Sequence, residues 1–136
     1  MRDDAREVVL DACALLRLLQ DEPGAEKVDR ILRDAQTGHA RALIHIVNLG
    51  EVIYTIGKSR GWEYALRTRS EISLLPLTVI PFSEDLFWHA VELKARYPMS
   101  YADCFAAALA IATHATLLTS DPEFEVLGDL IKRKHV

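Results

Sequence analysis

The chain has 136 residues, half of them apolar, with a net charge of −4 from 20 acids and 16 bases. That suffices for one ordinary domain with a sizeable core, and no apolar run reaches the roughly 18 residues that cross a bilayer. The opening MRDDARE lacks the apolar stretch of a signal peptide, so the expected compartment is the cytoplasm, with no membrane partner.

The periodicity predicts the elements in order. Residues 7–10 read as a short buried strand, with Val8, Val9 and Leu10 in a row. Residues 12–20 fit a helix through Leu15, Leu16, Leu18 and Leu19, and Asp21-Glu22-Pro23-Gly24 breaks it. A charged helix follows over 25–36, with Val28, Ile31 and Leu32 inward, then a strand over 42–44. Over 46–59, Ile46, Leu49, Ile53 and Ile56 make an apolar helical stripe, and Asn48, Glu51 and Thr55 a separate polar one. Residues 62–74 form another helix, stopped by Pro76, and 77–80 a strand. Ser83 caps a helix whose core stripe is Leu86, Ala90, Leu93 and Tyr97. Ser100 opens an alanine-rich helix reaching Thr113. A strand over 116–118, a short helical turn at Asp121-Pro122 and a strand within 130–136 complete the chain. Short apolar strands alternating with helices predict one α/β domain over residues 1–136. Its core is a central parallel sheet of four or five strands with helices on both faces.

Four acids stand out: Asp11 in VVLDACALL, Glu51 in NLGEVIYTI, Asp103 in MSYADCFAAA and Asp121 in LLTSDPEF. Without them acids and bases balance at 16 each, so bulk charge neither favours nor excludes a polyanionic partner. Each also has a structural explanation. Asp11 and Asp121 suit helix N-caps, Ser100 and Asp103 have capping-box spacing, and Glu51 could face solvent. Yet Glu51 lies in a helix with little other charge before Lys58, and Asp103 is followed by the small Ala106 and Ala107, which allow either close packing or access. Asp11 and Asp121 follow strands, at the carboxyl end of the sheet where ligands gather. Carboxylates brought together there are compensated best by a hard divalent cation. No nucleophile elbow, HExxH, P-loop or GxGxxG is present, and the five histidines read as ordinary. A dehalogenase-type phosphatase would need a second Asp where Cys13 stands. Cys13 and Cys104, far apart and with no CxxC, read as free thiols.

In order, VVLDACALLRLLQDEPGAEKV, NLGEVIYTI, MSYADCFAAALA and ATLLTSDPEF resemble the segments of PIN-domain ribonucleases, and among them the VapC-type toxins of toxin–antitoxin pairs. The resemblance implies a three-layer fold and metal-binding acids at Asp11, Glu51, Asp103 and Asp121. It implies one or two Mg²⁺ or Mn²⁺ ions, cleavage of RNA to a 5′-phosphate and a 3′-hydroxyl, a VapB-type antitoxin in the acidic cleft and a homodimer. Asp11 and Asp103 are expected as principal ligands. Cys13 departs from the small hydroxyl or amide residue usual there, which puts the polar contact beside Asp11 in question, and Thr119 or Ser120 could supply a hydroxyl. Candidate cations for RNA are Arg17, Lys58/Arg60, Arg67/Arg69, Lys94/Arg96 and Lys132–Lys134, with Tyr54, Trp62 and Tyr64 as stacking faces. Phe87-Trp88 and Trp62 are candidate interface anchors. Two other readings are a PIN nuclease of RNA processing without an antitoxin, and a PIN-like module that binds without cutting.

Overall fold

The structure, a computed structural model, describes residues 6–136. Most of the charged N-terminal stretch used above to argue compartment lies outside the described residues. The strands are β1 (Arg6–Leu10), β2 (Ala40–His45), β3 (Thr78–Ile80), β4 (Thr116–Thr119) and β5 (Lys132–His135). The helices are α1 (Ala12–Leu19), α2 (Ala25–Gln36), α3 (Ile46–Arg60), α4 (Trp62–Ile72), α5 (Glu84–Arg96) and α6 (Tyr101–Thr113), followed by a 3-10 helix over Pro122–Leu130.

The five strands form one parallel sheet in the order β3-β2-β1-β4-β5. Successive side chains of a strand point to opposite faces, and here both faces are buried. Val8, Leu10, Ile44 and Leu118 pack under α1 to α4, against Leu15, Val28, Ile31, Val52 and Ile72. Val9, Leu43 and Leu117 face the other way, onto Ala90 of α5, Phe105 and Leu109 of α6, and Phe124. Two cores explain why the strands read as continuous apolar runs. The α/β three-layer expectation holds, with five strands.

The details that differ have local causes. The buried face of α3 runs through Val52, Ile53 and Ile56, whereas Ile46, on that face but in the first turn, is 41% exposed. The helical turn after Asp121 extends to nine residues, kinked at Gly128. All four residues of β5 are exposed, and its place is set by backbone pairing from Thr116↔Lys132 to Thr119↔His135. Ala106 and Ala107 are fully buried, so their small size serves close packing of α6 on the sheet. Gly24, at φ 102°, ends the predicted breaker; a Cβ there would lie 2.6 Å from the Val136 carbonyl carbon. Among the described residues no helix is long and apolar enough to cross a membrane.

From β1 the chain builds outward through β2 to β3, then crosses back to place β4 on the other side of β1. The sheet therefore reverses its winding between β1 and β4, and a crevice opens beyond their carboxyl ends.

Candidate metal centre

The residues of that crevice are placed by capping. Asp11 follows β1 and caps α1, its Oδ1 accepting from the Ala14 N–H at 2.8 Å. Its Oδ2 accepts from the Thr119 hydroxyl at the end of β4. The Thr119 Oγ1 in turn accepts from the Asp121 N–H at 2.9 Å. One hydroxyl thus ties the ends of the two central strands and links two of the acids. Asp121 caps the 3-10 helix, its Oδ1 accepting from the Glu123 N–H at 2.9 Å.

Asp103 lies in the first turn of α6. The predicted capping box forms by half: Ser100 Oγ accepts from the Asp103 N–H at 3.2 Å. The return bond comes instead from Glu123, whose Oε1 accepts from the Ser100 N–H at 2.6 Å. That substitution frees the Asp103 carboxyl to face the crevice. Glu51 is held by Asn48, which donates to Glu51 Oε1 at 3.4 Å and to the Ala102 carbonyl at 3.0 Å. Asn48 is fully buried, so it fixes α3 against the start of α6 and sets Glu51 relative to Asp103. Asn48→Ala leaves the Ala102 carbonyl without this partner. We expect a loss of about 2 kcal/mol, read as a lower melting temperature of the purified protein.

All four predicted acids, Asp11, Glu51, Asp103 and Asp121, line one cleft of about 280 Å³. The tightest grouping within the region includes a residue absent from the sequence-based set. Carboxylate oxygens of Asp103, Asp121 and Glu123 lie within 4.8 Å of one another. Glu123 stands two residues after Asp121 in SDPEF, where it reads as an ordinary first-turn acid. Its distinguishing contact, with Ser100, is tertiary.

Cys13 also lines the cleft, but its partner is Ser120 rather than Asp11, with Sγ 2.8 Å from Ser120 Oγ. Ser120 Oγ accepts from Arg17 Nε and Nη2 at 3.2 and 3.1 Å. With both acceptor positions used, Ser120 donates to the thiol sulfur. Arg17 Nη1 donates to the Pro23 carbonyl at 3.0 Å. Arg17 is thereby the cation held at the wall of an otherwise acidic cleft. Both cysteines are free thiols, Cys104 fully buried.

Burial, with crowding as a smaller push, raises the hold of Asp103, Asp11 and Glu51 on their protons. Burial pushes the Asp103 carboxyl up to about 8, helped by its hydrogen bond with Glu123 and by the charges of Asp121 and Asp11. The Glu123 end of that pair is held below its usual range by the same bond and by the Ser100 N–H. Asp11 is 1% exposed, and burial raises it to about 6 against the opposing bonds from Thr119 and Ala14. Burial also raises Glu51, with a smaller push from Asp121. A donor set made only of oxygens, in which burial and neighbouring charge disfavour ionising Asp103, Asp11 and Glu51, fits a hard divalent cation.

Among known proteins, the chain matches the PIN domain family over residues 8–130. No curated protein matches it. Several solved structures share its fold. VapBC2 from Rickettsia felis, bound to a DNA fragment from its promoter, is 20% identical, with 96% of this chain and 98% of that one covered at a TM-score of 0.76. DNA-bound VapBC from Salmonella typhimurium has the same identity and coverage at 0.74. VapC20 from Mycobacterium tuberculosis, described as a Sarcin-Ricin loop cleaving toxin, is 15% identical, with 89% and 95% covered at 0.68. The family match runs from within β1 to the end of the 3-10 helix and takes in every acid of the cleft; the chain belongs to the PIN domain family.

Proposed function

We propose that this protein is a metal-dependent endoribonuclease of the VapC toxin type, restrained by a VapB-type antitoxin. The observation that carries the reading is the convergence of Asp11, Glu51, Asp103 and Asp121 on one cleft, joined by Glu123. The solved VapBC complexes and the Sarcin-Ricin loop cleaving toxin that share the fold support the substrate and the partner.

Asp103, Asp121 and Glu123, with Asp11 and Glu51 beside them, would hold one or two Mg²⁺ or Mn²⁺ ions. When bound, such an ion neutralises a phosphate oxygen and lowers the pKa of a water. The chain's own residues do the rest. Thr119 keeps the Asp11 carboxylate in one orientation, and Asn48 does the same for Glu51. Glu123 holds the first turn of α6 so that Asp103 faces the cleft. Arg17, anchored by Ser120 and Pro23, presents a fixed positive charge to the RNA backbone at the cleft wall. The remaining parts of the reading are one PIN domain over residues 1–136, a homodimer and a cytoplasmic site of action. Trp88, 57% exposed, and Phe87, half-buried against it, are candidate dimer anchors.

Purified protein is expected to cleave RNA in Mn²⁺, to stop when EDTA is added, and to lose cleavage in Asp11→Asn. End-mapping of cellular RNA after brief induction of wild type and Asp11→Asn would then give the cut site. RNA left intact by wild-type protein in Mn²⁺, or cut equally in EDTA, defeats the proposal.

A further inference from the structure

The second half of α3 and the start of α4 carry a surface that the metal centre leaves unused. Tyr54 and Trp62 are more than half exposed, and Tyr64 is 39% exposed. Cations sit over two of these rings. Lys58 Nζ is 5.7 Å from the Tyr54 ring centroid, and the guanidinium carbons of Arg60 and Arg67 are 4.9 and 5.5 Å from that of Tyr64. Arg60 Nη1 also donates to the Tyr64 hydroxyl at 3.1 Å. Among the described residues, Lys58, Arg60 and Arg67 form no ion pair with a carboxylate. Among the described residues their charge is therefore not cancelled by an ion pair, and the rings restrict where it can go.

This surface is continuous with the acidic cleft in two ways. Glu51, Tyr54, Thr55 and Lys58 fall at i, i+3, i+4 and i+7 of α3, on one helix face, and Glu51 and Thr55 line the cleft. Gln20 lines both the cleft and a neighbouring hollow of about 210 Å³ walled in part by Arg60 and Tyr64. The first route ends on Tyr54 and Lys58; the second reaches Arg60 and Tyr64 across a hollow that Asp21 and Glu71 also line.

The geometry points to a track for single-stranded RNA, leaving the acidic cleft along α3 and crossing the Arg60–Tyr64–Arg67 group. Phosphates meet these cations; bases stack on the exposed faces of Tyr54 and Trp62 and on the guanidinium planes beside Tyr64. The inference rests on the ribonuclease reading and deepens it by placing the nucleotides that flank the cut. A second copy of the chain is a poorer occupant, because a two-fold contact through this patch would set like charges against like.

The test uses the full chain in EDTA, which prevents cleavage, and a fluorescent RNA of roughly 12 nucleotides. Its anisotropy is titrated across about 50 to 200 mM salt. Arg60→Gln/Arg67→Gln is expected to bind about tenfold more weakly, with a salt slope shallower by about 0.7 for each charge removed. Tyr54→Ala is expected to lose about tenfold through stacking, with the slope unchanged. Arg33→Gln, which removes a cation paired with Asp29 on α2, is the control and should bind as wild type. Wild-type affinity and slope in the first two variants overturn the track, as does an equal loss in the control. So does a shift from dimer to monomer by light scattering with RNA affinity intact, which would assign the patch to a second copy. Metal-dependent cutting that persists beside unchanged RNA affinity removes the track and leaves the nuclease reading standing.

Discussion

Asp103→Asn raises the melting temperature of the metal-free protein, and the gain grows with pH. The folded state holds the Asp103 carboxyl near 8, against an ordinary 3.8. A carboxylate that binds its proton more tightly when folded favours the folded state at low pH. That advantage disappears as pH rises between 3.8 and about 8, because the unfolded chain ionises freely while the folded one resists. Asp11, raised to about 6, adds a loss of the same sign over a lower window. Asn at position 103 does not titrate, and its amide N–H can replace the O–H that protonated Asp103 donates to the Glu123 carboxylate. One group contributes at most about 1.4 kcal/mol per pH unit, so a gain on the order of 10 °C at the upper end of the window is expected. Thermal unfolding in EDTA, followed as a function of pH, reads it directly. Parallel curves for variant and wild type across the window would show that folding does not raise the Asp103 carboxyl's hold on its proton.

Thr119→Val should have the opposite effect. The side chains are nearly the same shape, so packing in this buried position is preserved, but Asp11 Oδ2 and the Asp121 N–H both lose their partner. Leaving a buried carboxylate oxygen and an amide unsatisfied costs about 3 kcal/mol, or roughly 10 °C in melting temperature. The loss should be larger at pH 8 than at pH 5, since Asp11 is ionised only above about 6. Thr119→Ser, which keeps the hydroxyl, should recover most of it. A valine variant that melts with wild type at pH 8 would mean that the hydroxyl does not hold these two acids.

Much of this architecture was legible in the order of residues. Val8-Val9-Leu10 and the alanine-rich run after Ser100 announced a sheet covered on both faces, and Asp11 and Asp121 announced its carboxyl edge. What stayed hidden depended on contacts across the fold. Glu123 looks like an acid placed for the helix dipole, and only the approach of Ser100 makes it part of the site. Cys13 looked like a missing polar contact to Asp11. Folding instead joins it to Ser120 and Arg17 in a chain of hydrogen bonds. Strand β5 has no apolar pattern, because an edge strand with exposed side chains is defined by its backbone partner. The exposure of Ile46 follows from where the α3 core ends rather than from helical periodicity.

The gathered acids matter functionally only if they receive a cation. Calorimetric titration of Mn²⁺ into wild type, Asp11→Asn and Asp103→Asn at neutral pH addresses this most directly. Saturable binding to wild type at one or two sites, markedly weakened in both variants while each remains folded, is the predicted result. Equal Mn²⁺ affinity in all three proteins, or none in the wild type, would contradict the assignment of this cleft as a metal centre.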